Sequence, residues 1–407
     1  MDFDTDIVIA GAGPAGLAAA CVFGSEGYDV TLIDPAPPIT GEDEPGADLR
    51  TTALLQPARD LLTRAGIWDR LGPAGTALWT MRIVDAAGDT TVTRDFEARD
   101  ISDAPFGWNF PNWLLRHHML ARAEELPGVT LRFGRSVSGI FAREAGTRVT
   151  LDDGSRITAR LLVACDGRDS PVRKMAGIDA KRVDYGQSAI VFACTHAAPH
   201  DDISTEIHNS GGPFTLVPLP DRGGQHRSAV VWMDIAAEQT RRMDLDPGRF
   251  TEEAQERSAN VMGTLSLVSG RAIWPITSVL ADRFTARRLA LAAEAAHAMP
   301  PIGAQGLNTS LKDIALLQDL AARHPLGSLE MLEPYGQARR RDAALRMAGI
   351  DLLNRTSIAG IAPVQALRAR GMAALHDLPP LRRAVMRLGL GATPKSASSD
   401  APQANTT

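Results

Sequence analysis

The run Gly11-Ala12-Gly13-Pro14-Ala15-Gly16 decides how this chain begins to fold. Apolar residues 7–10 lead into it and small apolar residues lead out of it, so the pattern predicts a strand over 6–10 turning sharply into a helix over 14–26. Residues 28–34, ending on Asp34, form a second strand and complete a strand-helix-strand unit. Gly11 permits the tight bend, Gly13 lets the backbone approach a pyrophosphate, and Gly16 lets the helix lie close to the strand. The helix that opens at Pro14 and Ala15 points unpaired N–H groups forward, which favours an anion there. Asp34 stands where a carboxylate accepts hydrogen bonds from ribose hydroxyls. A glycine turn alone serves many purposes; with Asp34 at this spacing it calls for a bound dinucleotide.

The same stretch carries a second signal. Residues 7–24 contain no charge, a length that approaches a membrane span. The glycines and Pro14 in its middle, and the absence of a basic flank, favour strand, turn and helix. Acidic residues at 2, 4 and 6 stand where a secretory signal would be basic, so a cytoplasmic location is expected. The net charge of −5 and the pI near 6.0 give no reason to expect nucleic acid. Three scattered cysteines, Cys21, Cys165 and Cys194, form neither a zinc motif nor a redox pair, and no metal site is expected. His117 and His118 lack a suitably spaced third ligand and are expected on a helix face, with Trp108 and Trp113 in the core.

The rest of the 407 residues supplies enough apolar sequence, 44%, for a large core. Residues 35–48 are rich in Pro, Gly and acids and make a surface loop. Helices are expected at 56–65 and 112–125, strand-like sequence at 78–97, a hairpin at 148–156 and a buried strand at 161–165. Alternating segments at 188–194, 214–219 and 228–234 suggest a mostly antiparallel sheet. A short strand at 289–292 then enters a Gly-rich loop and a helix over 306–321, and helices follow at 332–354, 364–375 and 380–390. The expected class is α/β: a Rossmann-type domain built from residues 1–77, 99–180 and 281–330. A substrate domain of 78–98 and 181–280 is inserted into it, followed by C-terminal helices over 331–394 and a flexible tail over 395–407.

Three further segments carry a family resemblance. They are Asp48-Leu49-Arg50-Thr51-Thr52-Ala53; Cys165-Asp166-Gly167-Arg168-Asp169-Ser170-Pro171-Val172-Arg173; and residues 291–308, which include Ala293-Glu294-Ala295-Ala296-His297 and Pro301-Ile302-Gly303-Ala304-Gln305-Gly306-Leu307-Asn308. Together with the glycine turn, they resemble the FAD-dependent aromatic-ring monooxygenases, the family of para-hydroxybenzoate hydroxylase and the ubiquinone-biosynthesis hydroxylases. The resemblance implies that Arg50 reaches the FAD pyrophosphate, that Asp166 and Gly167 serve FAD and the nicotinamide nucleotide, and that Asn112 contacts FAD from its helix. It places Pro301 beside the reactive flavin carbon and makes Gly303, Ala304, Gln305, Gly306, Leu307 and Asn308 the loop and helix start that face the isoalloxazine ring. A helix N-terminus there favours an anionic reduced flavin on electrostatic grounds alone. Ala293-Glu294 departs from the family's Gly-Asp; Glu294 keeps the carboxylate expected to hold the ribityl chain, on a longer arm. His297 is read as a helix-start or packing residue rather than as a base.

Residues 185–189 and 212–219, with Val231-Trp232, look more like the ubiquinone-biosynthesis branch than like others. The resemblance implies hydroxylation of the ring of a lipid-tailed phenol by O₂ through a flavin hydroperoxide, with NAD(P)H or another electron donor as a transient reductant. No side chain is assigned as an obligatory acid or base. Segments 214–219 and 229–233 hold no cation to receive a substrate carboxylate, which suits a hydrophobic phenol. Arg368, Arg370, Arg382, Arg383 and Arg387 lie among apolar residues and leave two readings open: a peripheral contact with an anionic membrane, or a solvated basic face. Hydroxylation of another aromatic metabolite, and a non-catalytic FAD-binding scaffold in a biosynthetic complex, also remain open.

Overall fold

The computed structural model describes residues 3–86, 91–209, 211–358 and 376–390. Strand Thr5–Ala10 is buried along nearly its whole length and pairs in parallel with Val30–Asp34 on one side and Arg156–Ala164 on the other. Val129–Phe133 extends this parallel sheet beyond Val30–Asp34, and Leu289–Leu291 extends it beyond Arg156–Ala164. The chain therefore leaves the first strand towards one edge and later returns to its other side. This order reversal opens a crevice at the strands' carboxyl ends, where such sheets bind ligands.

Helix Pro14–Ser25 explains the uncharged run. Residues from Ala15 to Phe23 are buried, and the helix packs against Asn112–Glu125 and Gln305–Ala321 as well as the sheet. A helix covered on nearly every side needs no polar face. Among the described residues no helix is long and apolar enough to cross a membrane.

A second, nine-stranded sheet is antiparallel except where Ile203–His208 runs parallel to Thr80–Asp85. Its long strands Ala180–His196, Pro213–Arg222, Gln225–Ile235 and Ala272–Ala281 alternate side chains between its two faces. On one face Ile190, Phe192, Phe214 and Trp232 pack with Phe250 in one core. Residues between them in the chain, among them Val191, Thr215 and Val231, point to the other face. The antiparallel sheet is joined by helices Ala236–Met243 and Pro247–Arg257, which the alternation did not announce. A small third sheet of Thr51–Leu55, Gly107–Pro111 and Thr76–Leu78 stands beside the two large ones.

The expected strand at 161–165 and the second half of the hairpin are one strand, Arg156–Ala164, long enough to serve both the hairpin and the parallel sheet. Helix Leu329–Ile358 is longer at both ends than the apolar spacing suggested. Helix Pro379–Leu390 matches the expectation for 380–390, whereas 364–375, with Arg368 and Arg370, and the tail 395–407 lie outside the described residues.

Candidate active site

A cavity of about 460 Å³ lies between the two large sheets. Its wall includes the expected residues Gly13, Pro14, Ala15, Arg50, Asn112, Gly167, Glu294, Pro301, Gly303, Ala304, Gln305, Gly306 and Leu307. Segments almost three hundred residues apart thus meet on one surface. Gly11, Gly16, Asp34, Asp166 and Asn308 do not line it.

These five act behind the wall. Gly11 adopts φ +104°, open to glycine, and a Cβ on Gly16 would overlap the Gly11 carbonyl oxygen. The Asp34 carboxylate accepts from the backbone N–H of Ala12 at 2.6 Å and of Ala36 at 3.0 Å, so it braces the glycine turn. Asp166 accepts from the Ser170 hydroxyl and the Val172 N–H at the start of the short helix after it; burial raises its pKa despite those bonds. Asn308 is a staple. Its Oδ1 accepts from Leu55 N–H at 2.9 Å and its Nδ2 donates to the Ala53 and Ala304 carbonyls, each at 2.7 Å.

Arg50 is positioned by Asp48. The buried Asp48 carboxylate accepts from Arg50 Nε at 2.8 Å and Nη2 at 2.7 Å, from Asn112 Nδ2 at 3.0 Å and from Arg116 Nη2 at 3.2 Å. Burial alone would raise the Asp48 pKa, but the hydrogen bonds and charges of Arg50, Asn112 and Arg116 outweigh it and hold the carboxyl below its usual range. The Arg50 guanidinium also lies 4.1 Å from the Trp274 ring centroid. One acid thus orients two cationic side chains and an amide on the cavity wall, a donor set suited to a pyrophosphate.

Glu294 lies on the wall and pairs with Arg168 Nη2 at 3.1 Å. Its longer arm reaches a partner that the sequence reading did not assign. Behind it sits Asp313, fully buried, which accepts from Ala293 N–H at 2.9 Å, His297 Nε2 at 2.7 Å and Arg339 Nε at 2.6 Å. Burial would raise the Asp313 pKa, yet His297 and Arg339 outweigh it and leave it lowered. His297 is therefore a packing residue tied to a carboxylate. Ala293 and Ala304, at the two ends of the loop, both have φ +55°, a left-handed conformation costing an L-residue about 1 kcal/mol. Asp313 ties the first and Asn308 the second. Gln305 is held by Arg346 at 2.8 Å and donates to the Gly389 carbonyl at 3.1 Å, so helix Pro379–Leu390 closes against the loop.

The cavity fits a flavin nucleotide. A Cβ built on Gly13 or Gly306 meets nothing within 4 Å, so both backbones border open space. Trp274 Nε1 and Asn109 Oδ1, on wall residues, are buried without a partner. Helix Gln305–Ala321 starts at the cavity with no side-chain cap bond on its N-terminus. Among the described residues no group of His, Cys, Asp or Glu is arranged to hold a metal.

Sequence reasoning missed Asp48, Arg116, Arg168, Trp274 and Glu206. Arg116 follows Asn112 by one helical turn and was legible from that spacing. Trp274 and Glu206 reach the cavity through sheet register, which no local motif reports.

Comparison with known proteins agrees with this geometry. The family described as "FAD binding domain" matches residues 4–348. Ubiquinone hydroxylase UbiL of Rhodospirillum rubrum is 34% identical over 403 residues, covering 95% of this chain and 89% of that protein. The 3-demethoxyubiquinol 3-hydroxylase of Escherichia coli is 26% identical, covering 95% and 98%. Among solved structures, p-nitrophenol 4-monooxygenase PnpA of Pseudomonas putida superposes with a TM-score of 0.76 at 19% identity, covering 95% of this chain and 97% of that one, a likeness of fold. The chain belongs to the FAD binding domain family and is a flavin-dependent monooxygenase.

Proposed function

We propose that this protein hydroxylates the aromatic ring of a polyprenylated phenol on the route to ubiquinone, using FAD, O₂ and NAD(P)H. The observation that carries this is the cavity, whose one side gathers the nucleotide motifs and flavin loop and whose other side is an almost wholly neutral sheet face. The names of the relatives, ubiquinone hydroxylases and a demethoxyubiquinol hydroxylase, support the substrate class.

Bound FAD, reduced by NAD(P)H, would supply the activation of O₂, one atom of which goes to the ring and the other to water. The chain's residues do the rest. Gly13, Pro14 and Ala15 would bring backbone close to the pyrophosphate, and Arg50 and Arg116, both held by Asp48, would supply cations beside it. Asn112 would add an amide from the same cluster, and Glu294 a carboxylate for the ribityl hydroxyls. Pro301 and Gly303 to Leu307 would hold the ring, and the helix N-terminus would stabilise negative charge on it. Met81, Val191, Val217, Val231 and Ile276 exclude water from the substrate side.

A lipid-tailed substrate is met most readily at a membrane. Leu378, Leu381 and Val385 are exposed in and just before helix Pro379–Leu390, with Arg383 and Arg387 also exposed, while Met386 packs with Phe96 and Ile101. Arg382 is committed to Asp100 at 2.9 Å. This favours a peripheral contact through that helix. Reversing both exposed arginines to Glu should lower binding to anionic vesicles by about tenfold or more in a flotation assay; equal binding would refute the contact.

The test of function is turnover. FAD-loaded protein given NAD(P)H, O₂ and a short-chain 2-prenylphenol should yield a ring-hydroxylated product carrying ¹⁸O from ¹⁸O₂. Yellow protein that consumes no O₂ with any prenylphenol and reductant would refute the proposal and favour a scaffold.

A further inference from the structure

The substrate side of the cavity carries one charge. Strand Ile203–His208 places Glu206 opposite Thr215, Thr215 lies opposite Val231, and Val231 opposite Val191. All four residues belong to the cavity wall, in one row across the sheet. Apart from His297, which sits at the flavin-loop edge and is held by Asp313, the wall residues that this sheet contributes include no Lys, Arg or His, and Glu206 is their only acid. The Glu206 side chain is 13% exposed, and His208 Nε2, two residues on and on the same face, donates to its Oε1 at 2.7 Å. His208 is itself 11% exposed and its Nδ1 is buried without a partner.

We infer that Glu206 is the substrate anchor: its carboxylate accepts a hydrogen bond from the ring hydroxyl of a neutral phenol and repels aromatic carboxylates. A largely buried carboxylate in an apolar wall is stabilised by each donor it gains, and His208 occupies only one oxygen. A phenol O–H is such a donor, and it adds no charge to the apolar cavity. An aromatic acid would bring a second negative charge to a wall to which this sheet contributes no Lys or Arg. The hydrogen bond also fixes which ring edge faces the flavin loop across the cavity, and a hydroxyl bonded to a carboxylate releases electron density into the ring. This inference rests on the hydroxylase reading and narrows its substrate to uncharged hydroxylated rings.

The test uses full-length FAD-loaded protein, with the flavin absorbance change as the binding signal. Probes are 2-prenylphenol, ring-substituted 2-prenylphenols of graded acidity, and 4-hydroxybenzoate, titrated into wild type, Glu206→Gln and Glu206→Asp. FAD content confirms that each variant is folded. In wild type, affinity should rise with phenol acidity and 4-hydroxybenzoate should bind weakest. Glu206→Gln should bind 2-prenylphenol about tenfold more weakly, flatten the acidity trend and narrow the gap to 4-hydroxybenzoate; Glu206→Asp should retain the trend. A residue that merely held His208 in place would not change the acidity trend. Phenols binding wild type and Glu206→Gln alike, with the same trend, would overturn the anchor and leave the hydroxylase reading standing. Wild-type protein that holds FAD yet binds no phenol would overturn both.

Discussion

Replacing Asp313 by Asn tests the support of the flavin loop. Asp313 is 0% exposed, and its three bonds reach Ala293, His297 and Arg339 at 2.9, 2.7 and 2.6 Å. Asn preserves the shape but removes the charge facing Arg339, which is itself buried. Breaking a buried pair by neutralising one partner costs about 3–5 kcal/mol. Arg339 keeps Asp342 at 2.9 Å, so the lower end, about 3 kcal/mol, is expected. Because a lowered native pKa stabilises through the ionised form, the deficit should be full above the ordinary carboxylate pKa of about 4 and shrink only below it. Urea unfolding of the apoprotein measures the loss, and FAD titration should show about tenfold weaker binding, since Ala293 and His297 flank Glu294. A loss under about 1 kcal/mol with unchanged FAD affinity would refute the role of Asp313 as the brace of this loop.

Three other outcomes follow from the same geometry. Asp48→Ala should weaken FAD binding by about tenfold or more, because Arg50, Asn112 and Arg116 lose their common acceptor; quenching of FAD fluorescence measures it. Lys312→Met should stabilise the protein at pH 7 by about 1–2 kcal/mol, since burial, then Arg346, lowers the lysine pKa to about 8. Between about pH 8 and 10.5 the unfolded chain binds the extra proton, so wild type gains stability with rising pH and the difference fades, as unfolding at about pH 7 and 10 would show. Gly16→Ala should abolish FAD retention on purification, because its Cβ overlaps the Gly11 carbonyl oxygen.

The nucleotide turn was legible because its glycines, Pro14 and Asp34 are local: one strand, one bend and one helix specify them. The flavin loop was legible for the same reason. What sequence could not supply is which residue stands behind which. Asp34 was expected at a ribose and braces Ala12; Asn308 was expected at the flavin and staples Leu55. Both side chains also meet backbone partners that only the folded arrangement brings near. Asp313 and Arg339, 26 residues apart on two helices, meet through helix packing, and Glu206 reaches the cavity through strand register. Such pairings depend on how elements dock, and alternation or apolar spacing in one segment carries no record of its neighbour.

The clamp on Gln305 has a temporal consequence. Its two partners, Arg346 and the carbonyl of Gly389, are 41 and 84 positions further along. A nascent chain emerging from the ribosome therefore exposes the glycine turn long before the partners that hold Gln305 exist. Fixing Gln305 therefore waits until the polypeptide as far as Gly389 has been made.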